Sequence, residues 1–227
     1  MKYKIFIIIT LFLQIELTGQ KTIFDKINQY LGGINKEYTE EIIFISIDKQ
    51  TLYHIKKTEI IKKYVISSGE LGVGNQQGSN KTPLGLHKVK EKFGDKTPEN
   101  GRMIGRVFYG QIATILKDTS RSKTDDVTSR IMWLDGQEEG YNKGGQVDSY
   151  TRYIYIHGTS EEGRLGIPSS HGCIRMKNKD IIELYDKIKL EENDKTEENK
   201  ETVQIEENKT NNDPLEEIEF SLDEIKE

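Results

Sequence analysis

Cys173 is the one cysteine among 227 residues, with His171 two positions before it and His157 sixteen positions before it. Two segments hold these groups, Tyr155-Ile156-His157-Gly158-Thr159 and Ser169-Ser170-His171-Gly172-Cys173-Ile174-Arg175-Met176. Each joins a strand-like run to a glycine beside the reactive residue. A thiol with an ordinary pKa of about 8.5 is mostly protonated at neutral pH. A nearby imidazole can take that proton and leave a thiolate, the nucleophilic form. Glycine beside the cysteine lets the backbone approach a substrate carbonyl and leaves backbone N–H groups to face an oxyanion. Loss of one such donor in another enzyme costs about 2.7–4 kcal/mol. The separation of His157 from Cys173 is too long for a local contact and suits two loop ends meeting across a hairpin.

Spacing alone leaves other readings open. A buried lone cysteine commonly acts as a small hydrophobe, and either histidine can be a satisfied polar core residue. Two histidines and a cysteine can also bind zinc. Against zinc, His171 and Cys173 are close neighbours on one strand face, a strained arrangement for a single ion. There is no second cysteine, and His54 and His87 fall in distant strand segments. Neither a metal site nor a cofactor is expected.

The elements that must position these groups are mostly short strands. Ile42–Ile47, Thr51–Ile55 and Ile60–Ser67 are β-branched and aromatic runs separated by turn signals, which suggests an antiparallel meander. Gly69–Gly85 is glycine-rich and closes with Lys81-Thr82-Pro83-Leu84-Gly85, so a long loop is expected there. Leu86–Val89 restarts a strand, residues 94–106 read as loop, and Phe108–Leu116 as another strand. Lys117–Thr128 is polar, Arg130–Leu134 apolar, and Gly136–Ser149 a surface loop. Tyr153–Ile156 reads as a strand running into His157. One helix is well signalled: Asn178 as its cap, then Ile181, Leu184, Tyr185 and Ile188 at i, i+3, i+4 and i+7. Residues 20–38 form a lead-in with Phe24, Ile27 and Leu31 on one side.

The ends of the chain differ from its body. Lys2 and Lys4 precede an apolar run from Ile5 to Ile15, broken by Thr10 and Gln14, and residues 1–19 are expected to be an export signal cut after Gly19. The run is shorter than the roughly 20 residues of a spanning helix, so no stable membrane insertion is expected after cleavage. No cysteine stands near the cut, so no lipoprotein anchor is expected. An exported protein with a lone cysteine has no intramolecular disulfide to make, which leaves an incidental thiol, an intermolecular link or a reactive group. From Glu191 to Glu227 the chain carries fifteen acidic residues against four lysines. That segment, 191–227, is expected to be a largely disordered solubilising tail. The formal charge of −5 for the whole chain hides a mildly basic body. No basic cluster interleaved with aromatics occurs, so a nucleic-acid partner is not expected.

The motif His157-Gly158-Thr159 with Ser170-His171-Gly172-Cys173-Ile174-Arg175 resembles the signature of the L,D-transpeptidase catalytic domain, the YkuD-like family. Thr82-Pro83-Leu84-Gly85 resembles that family's Thr-Pro-x-Gly loop, and the likeness covers roughly residues 39–190. It implies a mainly β fold, an antiparallel sandwich-like catalytic domain with a few helices. It implies action on peptidoglycan stem peptides in the periplasm or cell wall. In that role the cysteine displaces the terminal D-alanine from a diaminopimelate carbonyl, and a second stem amine resolves the thioester. Water as acceptor would give carboxypeptidase activity. The resemblance makes Cys173 the nucleophile and His157 the base, oriented through the Gly158 carbonyl. It makes Gly172 and Cys173 oxyanion donors, places His171 at the acyl site, and puts Ser170 and Arg175 in the substrate-binding shell, with a structural role as the alternative for Arg175. A wall-binding repeat, common in relatives, is not visible.

Overall fold

The computed structural model describes residues 23–37 and 40–190, and the backbone of residues 202–206. The expected export signal lies outside the described residues. So does the 191–227 segment, apart from 202–206.

Strand β1 (Glu41–Ser46) shows how the core is built. Its side chains alternate between two faces. Ile43 and Ile45 enter the main core, while Ile42 and Phe44 face the helix α1 (residues 23–33). On α1, Ile23, Ile27 and Leu31 recur every four residues and form the apolar stripe that covers this outer face. β2 (Thr51–Lys56) divides in the same way, with Leu52 inside and Tyr53 and Ile55 under α1. The lead-in is therefore a helix packed on the outer face of the sheet.

The expected meander is present as β1, β2 and β3 (Glu59–Ser67), paired antiparallel. Beyond it come β4 (Gly85–Phe93), β5 (Gly101–Ile104), β6 (Val107–Ile112), β7 (Val127–Gly136), β8 (Tyr155–Thr159), β9 (Ile174–Met176) and β10 (Thr202–Glu206). The pairing order is β4-β10-β1-β2-β3-β9-β8-β7, and β7 returns to β4 through His87↔Gly136 to Phe93↔Ile131. The circuit therefore closes on itself, and the β5–β6 hairpin is added to the remaining length of the β7 edge. Most pairs are antiparallel, but β8–β9 and β1–β10 are parallel, so the sheet is mixed.

Several local expectations change. Residues 94–106 contain β5, whose four residues and single glycine are too short a signal to read. Five residues of the acidic segment, Thr202–Glu206, form β10 between β1 and β4. The helix α2 (Asn178–Lys187) buries Ile181, Leu184 and Tyr185 as its period requires. Its cap is not Asn178, which is the first helical residue. The Glu162 carboxylate accepts from the Asn178 backbone N–H at 3.0 Å and serves that end of the helix instead. His157 and Cys173 do not meet across a hairpin. They lie on parallel neighbours, because residues 160–173 cross back before β9 starts.

Candidate active site

Cys173 is held by a tight turn fixed through the Ser170 side chain. The Gly172 N–H donates to Ser170 Oγ at 3.1 Å, and that hydroxyl donates to the Cys173 carbonyl at 2.6 Å. Gly172 has φ +117°, and a Cβ there would stand 2.9 Å from the Lys81 carbonyl oxygen, so glycine is required. Thr82 is fully buried and braces the turn from below. Its hydroxyl donates to the Gly172 carbonyl at 3.0 Å and accepts from the Gly69 N–H at 2.8 Å. The thiol sits at the edge of β8: the Tyr155 N–H points at the sulfur at 3.4 Å, and the S–H reaches the Tyr153 carbonyl at 3.3 Å. Burial pushes the thiol pKa up to about 11, against smaller opposing effects of the Tyr155 N–H, Arg175 and Arg152.

His157 is in β8 and only 3% exposed. The parallel register pairs Ile156 with Ile174 and His157 with Arg175. Cys173 therefore lies level with Tyr155, and His157 is two residues further along the same face. Its Nδ1 is 2.7 Å from the Gly158 carbonyl oxygen. A carbonyl can only accept, so Nδ1 carries the proton and Nε2 holds the lone pair. Burial pulls the imidazole pKa down to about 4, with the Gly158 bond and Asp125 opposing and Arg175 assisting. A Cβ on Gly158 would lie 2.6 Å from the Thr128 carbonyl oxygen and 2.7 Å from Asn178 Oδ1. The close approach of β7 and α2 thus excludes any side chain beside His157. A bulge in β7, with Ser129 at φ +62°, turns the Thr128 and Ser129 hydroxyls onto Asn178 Oδ1, each at 2.6 Å.

On the solvent side, His171 is 66% exposed in its side chain, and its Nδ1 meets Asp125 Oδ2 at 2.7 Å. The other oxygen of Asp125 takes Arg175 Nη2 at 2.5 Å, while Arg175 Nη1 pairs with Glu161 at 2.8 Å. Burial pushes the Asp125 carboxyl up, but the charge of Arg175 and the bonds from Arg175 and His171 outweigh it and hold it below its usual value. The structure thus gathers Cys173, His157, Gly158 and His171, with two changes from the sequence reading. Gly172 offers no free N–H to an oxyanion in this arrangement, since Ser170 Oγ already holds it. Ser170 and Arg175 are 2% exposed and turned inward, one shaping the turn and the other bridging two carboxylates. Asp125, Glu161 and Thr82 were not singled out as site residues. Thr82 stood in the Thr-Pro-x-Gly loop, but Asp125 lies in a polar stretch with nothing local to mark it.

An aromatic wall continues from the thiol. Trp133 stacks on Tyr150 and Tyr153, with centroids 4.1 and 5.5 Å apart, and meets the edge of Tyr155 at 5.4 Å. Arg152 closes the near side by donating to the carbonyls of Gly74, Asn75 and Lys81. Among the described residues no group of three or more His, Cys, Asp or Glu comes together as a metal site. His87 bonds Gly85 and Ser149, and His54 bonds Glu41, both away from Cys173.

A family profile described as the L,D-transpeptidase catalytic domain (YkuD) matches residues 40–205, fifteen residues beyond the end expected from the sequence. The chain belongs to this family. No curated protein matches. Among solved structures, it is similar to an L,D-transpeptidase from Xylanimonas cellulosilytica, with 18% identity over 75% of this chain and 62% of that one and a TM-score of 0.40. It is also similar to an L,D-transpeptidase from Mycobacterium smegmatis, with 15% identity, 75% and 60% coverage and a TM-score of 0.41. A third, from Stackebrandtia nassauensis, has 16% identity, 77% and 58% coverage and a TM-score of 0.42. The chain spans about three fifths of the length of these proteins.

Proposed function

We propose that the protein is an exported peptidoglycan L,D-transpeptidase working through a thioester on Cys173. The observation that carries this reading is the placement of a lone thiol and a buried imidazole of fixed tautomer on neighbouring strands, two residues apart along one face. His157 Nε2 takes the thiol proton as Sγ attacks the carbonyl of a stem-peptide diaminopimelate. The tetrahedral intermediate collapses, the C–N bond to D-alanine breaks, and His157 returns the proton to the departing amine. The amine of a second stem then attacks the thioester and gives its proton to His157. The C–S bond breaks, and the sulfur recovers that proton. Both half-reactions balance with the same two residues, and no cofactor is called for. Gly172 can join in oxyanion binding only by releasing Ser170 Oγ. Export is supported by Lys2, Lys4 and the apolar run from Ile5 to Ile15. No helix among the described residues is long and apolar enough to cross a membrane.

The test is incubation of the protein and its Cys173→Ala variant with disaccharide-tetrapeptides, followed by mass spectrometry. Cross-linked dimers that require Cys173 are the expected result. Cysteine-dependent tripeptides without dimers would make the protein a carboxypeptidase on the same bond. Unchanged fragments would leave a wall-binding module.

A further inference from the structure

We propose that Arg106, at the tip of the β5–β6 hairpin, binds a carboxylate on the donor substrate beyond the acylated carbonyl. This rests on the transpeptidase reading, in which the group is the distal carboxylate of diaminopimelate.

The hairpin turns on Gly105 and Arg106, both with positive φ, +55° and +70°. Two-residue turns of this kind favour asparagine and glycine, so an arginine in the left-handed region is held there under strain. What holds it is the aromatic wall. The guanidinium carbon lies 4.5 Å from the Trp133 ring centre and 5.5 Å from that of Phe93. Arg106 Nη1 donates to the Tyr155 hydroxyl at 3.2 Å. Among the described residues no carboxylate forms an ion pair with Arg106. Glu91 is near enough to favour its charge but holds the Tyr150 hydroxyl instead. The result is a half-exposed guanidinium held over the Trp133 and Phe93 rings, with donors left for a ligand. This is the form in which arginine reads carboxylates.

The position relative to the thiol decides which carboxylate. Tyr155 has its N–H on Cys173 Sγ and its hydroxyl on Arg106, so one tyrosine side chain separates sulfur from guanidinium. In diaminopimelate five carbons lie between the attacked carbonyl and the distal carboxylate, a comparable reach. The terminal D-alanine carboxylate is only a few bonds from the attacked carbon and falls short. Tyr153, 56% exposed and stacked on Trp133, offers an apolar surface along the way for the methylene chain.

The experiment compares two disaccharide-tetrapeptide donors, one with the distal carboxylate free and one with it amidated. The protein is expected to prefer the free acid by about tenfold or more in kcat/KM. Arg106→Ala should remove that preference, through a rise in KM about tenfold larger for the free acid than for the amidated donor. Arg106→Lys should retain part of it. Calorimetric binding of both stems to the Cys173→Ala protein should show the same difference without turnover. Equal losses on both donors with Arg106→Ala, or no loss on either, would overturn the subsite while leaving the transpeptidase reading intact. If Cys173 acylates with neither donor in the unaltered protein, the transpeptidase reading falls and the subsite falls with it.

Discussion

The electrostatics of Cys173 and His157 point the same way. Burial raises the thiol to about 11 and lowers the imidazole to about 4. The charged form of each is penalised, so the resting pair is a neutral thiol beside a neutral imidazole rather than an ion pair. His157 is then free to accept a proton at any pH well above 4, and the thiolate forms only as substrate is attacked. This has a measurable consequence. Alkylation of Cys173 by a small uncharged reagent should be slow at neutral pH, with its rate rising toward a midpoint near 11, against about 8.5 for an ordinary thiol. A midpoint at or below 7 would show a resting thiolate–imidazolium pair and overturn this account. Turnover of stem peptide should stay high into mild acid and fall only as the pH approaches 4, where His157 becomes protonated.

At the scale of elements, the reactive turn depends on a loop distant in sequence. Thr82 joins Gly69 to Gly172 through one buried hydroxyl. Thr82→Ala leaves a buried donor and a buried acceptor without partners, which should cost about 1–3 kcal/mol of stability. Because the affected carbonyl adjoins Cys173, kcat should fall while KM changes little, as steady-state kinetics beside a thermal melt would show. Loss of stability with unchanged kcat would reduce Thr82 to a packing residue. This link also marks what was legible in the sequence. His157, Cys173 and α2 could be read because their signals are local: a motif, a glycine at a strained φ, and a helical period. The first meander was visible as β-branched runs. The commitment of Arg175 was not, since it turns on partners far along the chain, Glu161 and Asp125. The parallel pairing of β8 and β9 was hidden for the same reason, since spacing does not distinguish it from a hairpin. β10 was masked by composition. Val203 and Ile205 alternate as a strand should, but they stand within a segment dominated by acidic residues.

For the whole molecule, two buried histidines set the response to acid. His157 and His87 both have pKa values near 4, lowered chiefly by burial, against 6.5 for the free group. The unfolded chain therefore binds more protons, and stability is complete above about 6.5 and declines as the pH falls through 4. Each group accounts for on the order of 3 kcal/mol across that window. His87→Gln should flatten the decline in a series of melts from pH 7 to pH 4, and an unchanged slope would remove His87 from it. Closure of the sheet is the second property at this scale. β10 pairs with β1 on one side and β4 on the other, so without it both strands present unpaired edges. Open edges of this kind invite pairing with another chain. A protein ending at residue 206 should melt like the full chain and remain in the same oligomeric state. One ending at residue 190, where composition alone would place the boundary, should melt on the order of 5–10 °C lower and self-associate in light scattering. If the shorter protein kept both the melting temperature and the oligomeric state, β10 would be dispensable and the domain would end at α2. The family profile, which runs to residue 205, favours the longer boundary.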